Sequence, residues 1–253
     1  MPVQGRAAIV TGAGRGVGKA IARALTEEGA SVLVGDIDAD AAHATAEALR
    51  AAGGDAEAVA ADVSDPAAAQ ALTEAAVERF GRVDILVNNA GIGLNKLFME
   101  TTPEDLDRIM RVNLLGPMLC SQAALRVMLP RGYGRIVNIV SISGLVGNIG
   151  RTAYGASKAA LQLMTKVMAV ELGAQGVTIN AIAPGPIETD LSAAIHTQQT
   201  RNAFHARTPM HRYGTPAEIA AAVVFLASDG AAYVNGTTLT VDGGFAVAGL
   251  MPV

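Results

Sequence analysis

Tyr154 and Lys158 stand four residues apart in TAYGASKAALQLMTKVMAVEL, residues 152–172. In a helix that spacing puts the phenol and the ammonium on one face, one turn from each other. Taking a proton from a secondary alcohol, or returning one to a carbonyl, needs a positioned acid or base. Free tyrosine titrates near a pKa of about 10, and a cation within ~4–6 Å lowers that value by favouring the phenolate. Lys158 is therefore expected to hold Tyr154 as an activated base. Ser141, in IVNIVSISG, closes an apolar run and offers a hydroxyl to an oxygen on which charge develops. Ser143 is its rival. Asn113, in RVNLLG, is a residue that helix interiors disfavour.

A second cluster lies near the N-terminus. VTGAGRGVGKAIA follows an apolar run and opens a helical pattern. Gly12, Gly16 and Gly18 permit a tight turn and let backbone N–H groups approach a pyrophosphate at the helix start. Asp36 ends the next apolar run, where a carboxylate accepts hydrogen bonds from an adenosine ribose and repels a 2′-phosphate. It favours NAD over NADP, and Arg15 pulls the other way.

These groups need a scaffold that brings 12–18, 141 and 154–158 to one edge. Short apolar runs at 7–10, 31–36, 56–62, 84–89, 135–141, 177–183 and 237–241 alternate with helical patterns near 16–28, 40–52, 66–80, 103–130, 154–173 and 216–227. Apolar strands separated by helices predict a doubly wound α/β fold of the Rossmann type, with seven mostly parallel strands and helices on both faces. One domain spanning 1–253 is expected, with the polar stretch 186–215 as a lid over the carboxyl edge. The chain has 253 residues, 51 % apolar and 17 % charged, and a net charge of −4. That balance gives no footprint for nucleic acid or an anionic membrane. The single cysteine, Cys120, excludes a disulfide framework, and no Cys/His cluster has metal spacing. A cytoplasmic protein without a metal is the expectation.

The TGxxxGxG pattern at Thr11–Gly18, NNAG at 88–91, Asn113, Ser141, the YxxxK of Tyr154 and Lys158, and PGPIET at 184–189 occur together in order. In this set the chain resembles the short-chain dehydrogenase/reductase family over essentially its whole length. The resemblance implies that Asn113, Ser141, Tyr154 and Lys158 are catalytic. Lys158 would also hold the nicotinamide ribose, and Asn113 would link to it through a water-borne proton relay. It implies cofactor contacts from Gly12, Arg15, Gly16, Val17 and Gly18, from Asp36 and Ile37, and from Asp62 and Val63 beside the adenine. Asn89, Ala90 and Gly91 would pass beneath the cofactor, and Pro184, Gly185, Ile187 and Thr189 would meet the carboxamide. His43, His196, His205 and His211 match no family site.

The expected reaction is hydride transfer between NAD, or less favourably NADP, and a small alcohol or carbonyl substrate. Asn95, Asn148, Arg151, His196 and Gln198 suit a sugar or polyol, whereas Leu94, Phe98, Leu145, Val146 and Met210 suit an apolar substrate. A 3-oxoacyl carrier-protein reductase is an alternative, although Asp36 opposes NADPH and the turn GAQG at 173–176 offers Gln175 and no base. A non-catalytic nucleotide-binding regulator is the alternative from another class. Leu161, Thr165, Met168 and Leu172 recur at helical spacing as a candidate outer stripe, and with the apolar tail 245–253 they point to a homotetramer.

Overall fold

Consecutive residues of each strand bury on opposite faces of a sheet. Val10, Val32, Ile85 and Val137 therefore enter one apolar layer, while their neighbours Ile9, Leu33, Leu86 and Ile136 enter the other. Both layers must be covered, and the helices between the strands do so. In this computed structural model, which describes residues 2–249, the strands are β1 (Ala7–Thr11), β2 (Ser31–Asp36), β3 (Ala56–Ala60), β4 (Ile85–Asn88), β5 (Gly134–Ile139), β6 (Val177–Pro184) and β7 (Thr238–Val241). All pair in parallel, in the order β3-β2-β1-β4-β5-β6-β7. The order reverses between β1 and β4, which opens a crevice at their carboxyl ends.

The first face carries α1 (Gly16–Glu27), α2 (Ala39–Ala51) and α9 (Pro216–Ala227), through residues such as Ile21, Leu25, Leu49, Ile219 and Val223. The second carries α3 (Pro66–Phe80) and α5 (Gly116–Met128), through Leu72, Cys120, Ala124 and Met128, with α6 (Thr152–Leu172) beside them. Burial pushes the Cys120 thiol up to about 12, so it behaves as a small core hydrophobe. Starts are well specified: Asp38, Asp65, Thr102 and Thr215 cap α2, α3, α4 (Pro103–Met110) and α9 with their side chains.

Three sequence expectations change. The helix expected over 103–130 is interrupted by a π-helical turn at Arg111–Leu115. Pro117 has no N–H to give the carbonyl four residues back, which is Asn113's, so the α-helical ladder cannot run through. The helical stretch 103–131 has a mean hydropathy of 1.3 over its most apolar window, long and apolar enough to cross a membrane by composition. Here α5 packs against α3, β4 and β5, as the covering helix of a sheet. Second, the stretch 186–215 is not irregular throughout, since it forms α7 (Asp190–Ile195) and α8 (Gln198–Arg207), capped by Thr189 and Thr197.

Third, the outer stripe of α6 was placed on the wrong face. Leu161 is buried against Val140, Ala181 and Ala183, and Thr165 is buried with its hydroxyl bonded to Asn138 and the Leu161 carbonyl. The exposed apolar stripe is Leu163, Val167 and Val170, at 63 %, 47 % and 86 % exposure. Alternating apolar residues around a helix this hydrophobic leave two stripes to choose from, and Thr165 follows its hydroxyl partner inward. The tail residues Leu250, Met251, Pro252 and Val253, expected to join a subunit contact, lie outside the described residues. Leu161→Ala is expected to lower the unfolding free energy by about 2–5 kcal/mol, read from the urea midpoint. A near-neutral result would place Leu161 on the outer face after all.

Candidate active site

The β1–α1 turn and the end of β4 are tied by two side chains, those of Thr11 and Asn89. The Thr11 hydroxyl donates to the Val87 carbonyl and accepts from the Asn89 and Ala90 N–H groups, the latter two at 3.1 Å. The Asn89 amide donates to the carbonyls of Thr11 and Gly12, both at 2.9 Å. This clamp leaves no room for side chains. A Cβ at Gly18 would lie 2.1 Å from the Gly12 oxygen, and one at Gly12, with φ +63°, would lie 2.8 Å from Ala90 Cα. The first turn of α1 has no side-chain cap and no acidic residue, so its N–H groups face the crevice without a protein anion. These features fit a dinucleotide pyrophosphate.

Asp36 is 7 % exposed at the end of β2. Its carboxylate accepts from Gly14 N–H at 2.9 Å and Asp38 N–H at 3.0 Å, which fixes it on the crevice wall. The Arg15 guanidinium pairs with Asp38 at 2.9 Å on the surface.

At the other end, Lys158 is 4 % exposed and its Nζ donates to the Ile139 carbonyl at 2.9 Å. It lies 5.9 Å from the centre of the Tyr154 ring. Burial lowers the Lys158 pKa to about 8. Burial also raises the Tyr154 phenol above its ordinary value, against the opposing pull of the Ser141 hydroxyl and the Arg151 guanidinium. The expected lysine-depressed phenol is therefore not what these residues make. The ammonium spends its directed bond on a backbone carbonyl, and removing the phenol from water outweighs its two stabilising neighbours. The shift favours the protonated phenol over the phenolate. The Ser141 hydroxyl also accepts from Ser143 N–H at 3.1 Å. The Ser143 hydroxyl turns to Asn148 instead.

Asn113 stands fully buried behind this wall, in the π-helical turn. Its amide donates to the Ile92 carbonyl and the Ser157 hydroxyl and accepts from Ile92 N–H, at 3.0, 3.1 and 2.9 Å. Both amide hydrogens are taken by protein partners. Its observed task is to brace the chain after Gly91, where a Cβ would lie 3.3 Å from Lys158 Nζ.

Every other residue of the catalytic and cofactor sets lines one cavity of about 840 Å³. This includes Gly12 to Gly18 without Ala13 and Gly14, Asp36, Ile37, Asp62, Val63, Asn89 to Gly91, Ser141, Tyr154, Lys158, Pro184, Gly185, Ile187 and Thr189. Of the substrate-pocket candidates Asn148, Arg151 and His196 line it, whereas Asn95, Gln198, Leu94, Phe98, Leu145, Val146 and Met210 do not. The volume lies within the ~300–1,000 Å³ usual for cofactor and ligand sites. Thr189 spends its hydroxyl capping α7 by accepting from Ser192 N–H at 3.1 Å. Sequence reasoning missed Ser192 and Phe204 on the cavity wall, because the lid gave no helical pattern to orient them. It also missed the ladder beneath the site, in which Asn88 donates to Asn138 at 2.8 Å and Asn138 to Thr165 at 2.9 Å. Two asparagines in adjacent strands carried a hint of it, since buried amides pair with each other. Of the histidines, His196 lines the cavity, stacked on Phe204 and bonded to the Tyr213 hydroxyl at 3.0 Å.

Comparison with known proteins agrees with this geometry. A family described as enoyl-(acyl carrier protein) reductase matches residues 12–246. The 3-oxoacyl-(acyl-carrier-protein) reductase FabG of Vibrio cholerae is 44 % identical over 244 residues, covering 96 % of this chain and 98 % of its own. The short-chain reductase protein NovJ of Streptomyces niveus is 42 % identical over 243 residues, covering 94 % and 92 %. A solved 7α-hydroxysteroid dehydrogenase, in complex with NADH and 7-oxo glycochenodeoxycholic acid, superposes with a TM-score of 0.93 at 39 % identity, covering 96 % of this chain and 94 % of its own. The chain belongs to the short-chain dehydrogenase/reductase family.

Proposed function

We propose that this chain is a nicotinamide-dependent ketoreductase that converts a 3-oxoacyl type of carbonyl to a secondary alcohol, with Tyr154 as the proton donor. The observation that carries the reading is the convergence of Tyr154, Ser141 and Lys158 on one cavity that also holds an uncapped glycine-rich helix start. When bound, the reduced cofactor supplies the hydride. The Ser141 hydroxyl orients the carbonyl oxygen, and the Tyr154 phenol gives it a proton as negative charge develops there. Lys158 places a buried positive charge under that proton transfer, and Asn113 holds the 91–92 backbone against it. Run backwards, the same atoms oxidise the alcohol.

The substrate assignment leans on the relatives. Several curated reductases, 36–44 % identical to this chain, are named 3-oxoacyl-(acyl-carrier-protein) reductases. The curated relatives at these identities favour the acyl reductase over the sugar or polyol drawn from the sequence, and the acyl reductase is the better reading. A non-catalytic regulator has no use for a phenol set beside a serine hydroxyl and a buried lysine. For the cofactor, the two backbone N–H groups on Asp36 and the pairing of Arg15 with Asp38 favour NAD(H) over NADP(H). The glycine turn, Val17, Ile37, Asp62, Val63, Asn89 to Gly91, and Pro184 to Thr189 complete its binding surface in this reading. The stripe Leu163, Val167 and Val170 marks the face through which copies associate, and a homotetramer working in the cytoplasm is the assembly proposed.

Tyr154→Phe keeps the ring and removes the ionisable oxygen. Steady-state assays should show turnover falling by the ~10²–10⁴-fold typical of a lost general acid, with NADH still bound. Near-normal turnover would remove Tyr154 from the mechanism. Asp36→Ala should move the kcat/KM ratio toward NADPH, and a wild type that already prefers NADPH would refute the weight given to Asp36. Light scattering should give a mass near four chains of 25.7 kDa each. A mass of one chain would rule out the association face.

A further inference from the structure

Arg151 is the N-cap of α6 and lines the cavity three residues before Tyr154. Its guanidinium lies 5.5 Å from the centre of the Tyr154 ring. The backbone there is anchored, because residue 151 bridges to Lys96, and Lys96 N–H donates to the Gly150 carbonyl at 3.0 Å. One guanidinium nitrogen reaches the Leu94 carbonyl at 3.4 Å. Among the described residues it has no carboxylate partner.

The other charges of the cavity are accounted for. Asp36 and Asp62, the acids on its wall, sit at the adenosine end. Arg15 is paired with Asp38, and Lys158 is directed at Ile139. Burial, with Arg151 and Arg201 nearby, holds the His196 pKa down, so this imidazole is neutral near pH 7. Besides the buried Lys158, the substrate end thus carries one permanent cation without an acidic partner, and its planar fork matches a carboxylate.

We infer that Arg151 binds the carboxylate of the substrate, so that the compound reduced is a free short 3-oxo acid rather than a carrier-bound thioester. This rests on the ketoreductase reading and refines its substrate. A short 3-oxo acid carries its carboxylate two bonds from the carbonyl carbon, and the Arg151 guanidinium stands 5.5 Å from the centre of the ring whose hydroxyl would serve that carbonyl. A carrier arm bears its phosphate a whole pantetheine away from the reacting carbonyl and cannot place it there. The step balances: the carbonyl carbon gains hydride from the reduced nicotinamide, the oxygen gains the Tyr154 proton, and the carboxylate is unchanged.

The test compares acetoacetate, methyl acetoacetate and acetoacetyl-N-acetylcysteamine with NADH, for wild type, Arg151→Gln and Arg151→Lys. Wild type should favour the acid over both neutral compounds. In Arg151→Gln the acid-to-ester ratio of kcat/KM should drop by about 10- to 100-fold, through KM, as expected for a lost charge-assisted hydrogen bond. Arg151→Lys should recover part of it. A wild type that favours the thioester or ester, or a ratio unmoved by Arg151→Gln, overturns the inference while leaving the ketoreductase reading intact. Calorimetric titration of 3-hydroxybutyrate into the enzyme with NAD separates the two claims. Arg151-dependent binding without turnover of any carbonyl would sustain the carboxylate site but refute the ketoreductase reading and with it the compound assigned to it, and neither binding nor turnover would refute both.

Discussion

The site depends on how closely the ends of β1 and β4 approach each other. At the point where strand order reverses, the chain must turn from β1 into α1 while β4 leaves in the same direction. Thr11 and Asn89 hold the two ends together with bonds of 2.9–3.1 Å. The approach dictates glycine at 12 and 18, since backbone atoms occupy the place of a side chain. It leaves the first N–H groups of α1 facing the crevice, where an anion is favoured. It also directs the chain at 90–92 past Lys158, and Asn113 fixes it there from the π-helical turn created around Pro117.

The second consequence is electrostatic. The same packing that builds the floor withdraws Lys158 and Tyr154 from water, and withdrawal penalises the charged form of each. The lysine is left with a pKa of about 8, and the phenol moves up rather than down. A proton therefore resides on the tyrosine at neutral pH, which suits reduction of a carbonyl. Arg151 adds a positive charge at the mouth of the same pocket and pulls modestly on the phenol, so substrate charge and proton donor are coupled through one residue.

Much of this was legible in the sequence. The strands follow from apolar runs, because a parallel sheet buries both faces, and the glycine turn and the Tyr154–Lys158 spacing identify the two ends of the site. The break in the helix at 111–115 was not read, although Pro117 carried the signal in its missing N–H. The buried face of α6 was not decidable from periodicity, since Leu161 and Leu163 are equally apolar and only the bond from Asn138 to Thr165 selects between them. The phenol's direction of shift was misjudged because spacing gives the distance between two groups but not the carbonyl of Ile139, which captures the ammonium. The lid helices were hidden because Gln198–Arg207 has no buried residue and so no apolar stripe.

The central claim is that Tyr154 holds its proton at neutral pH and donates it. The chain has four tyrosines, so labelling them with 13C at the ring carbon bearing the hydroxyl gives four resolvable signals, and Tyr154→Phe assigns the one that matters. Following that signal against pH reads the ionisation directly. A midpoint above the ordinary value of about 10 is the expected result. A midpoint near or below neutrality would show a phenolate in the resting site and contradict the assignment of Tyr154 as its acid.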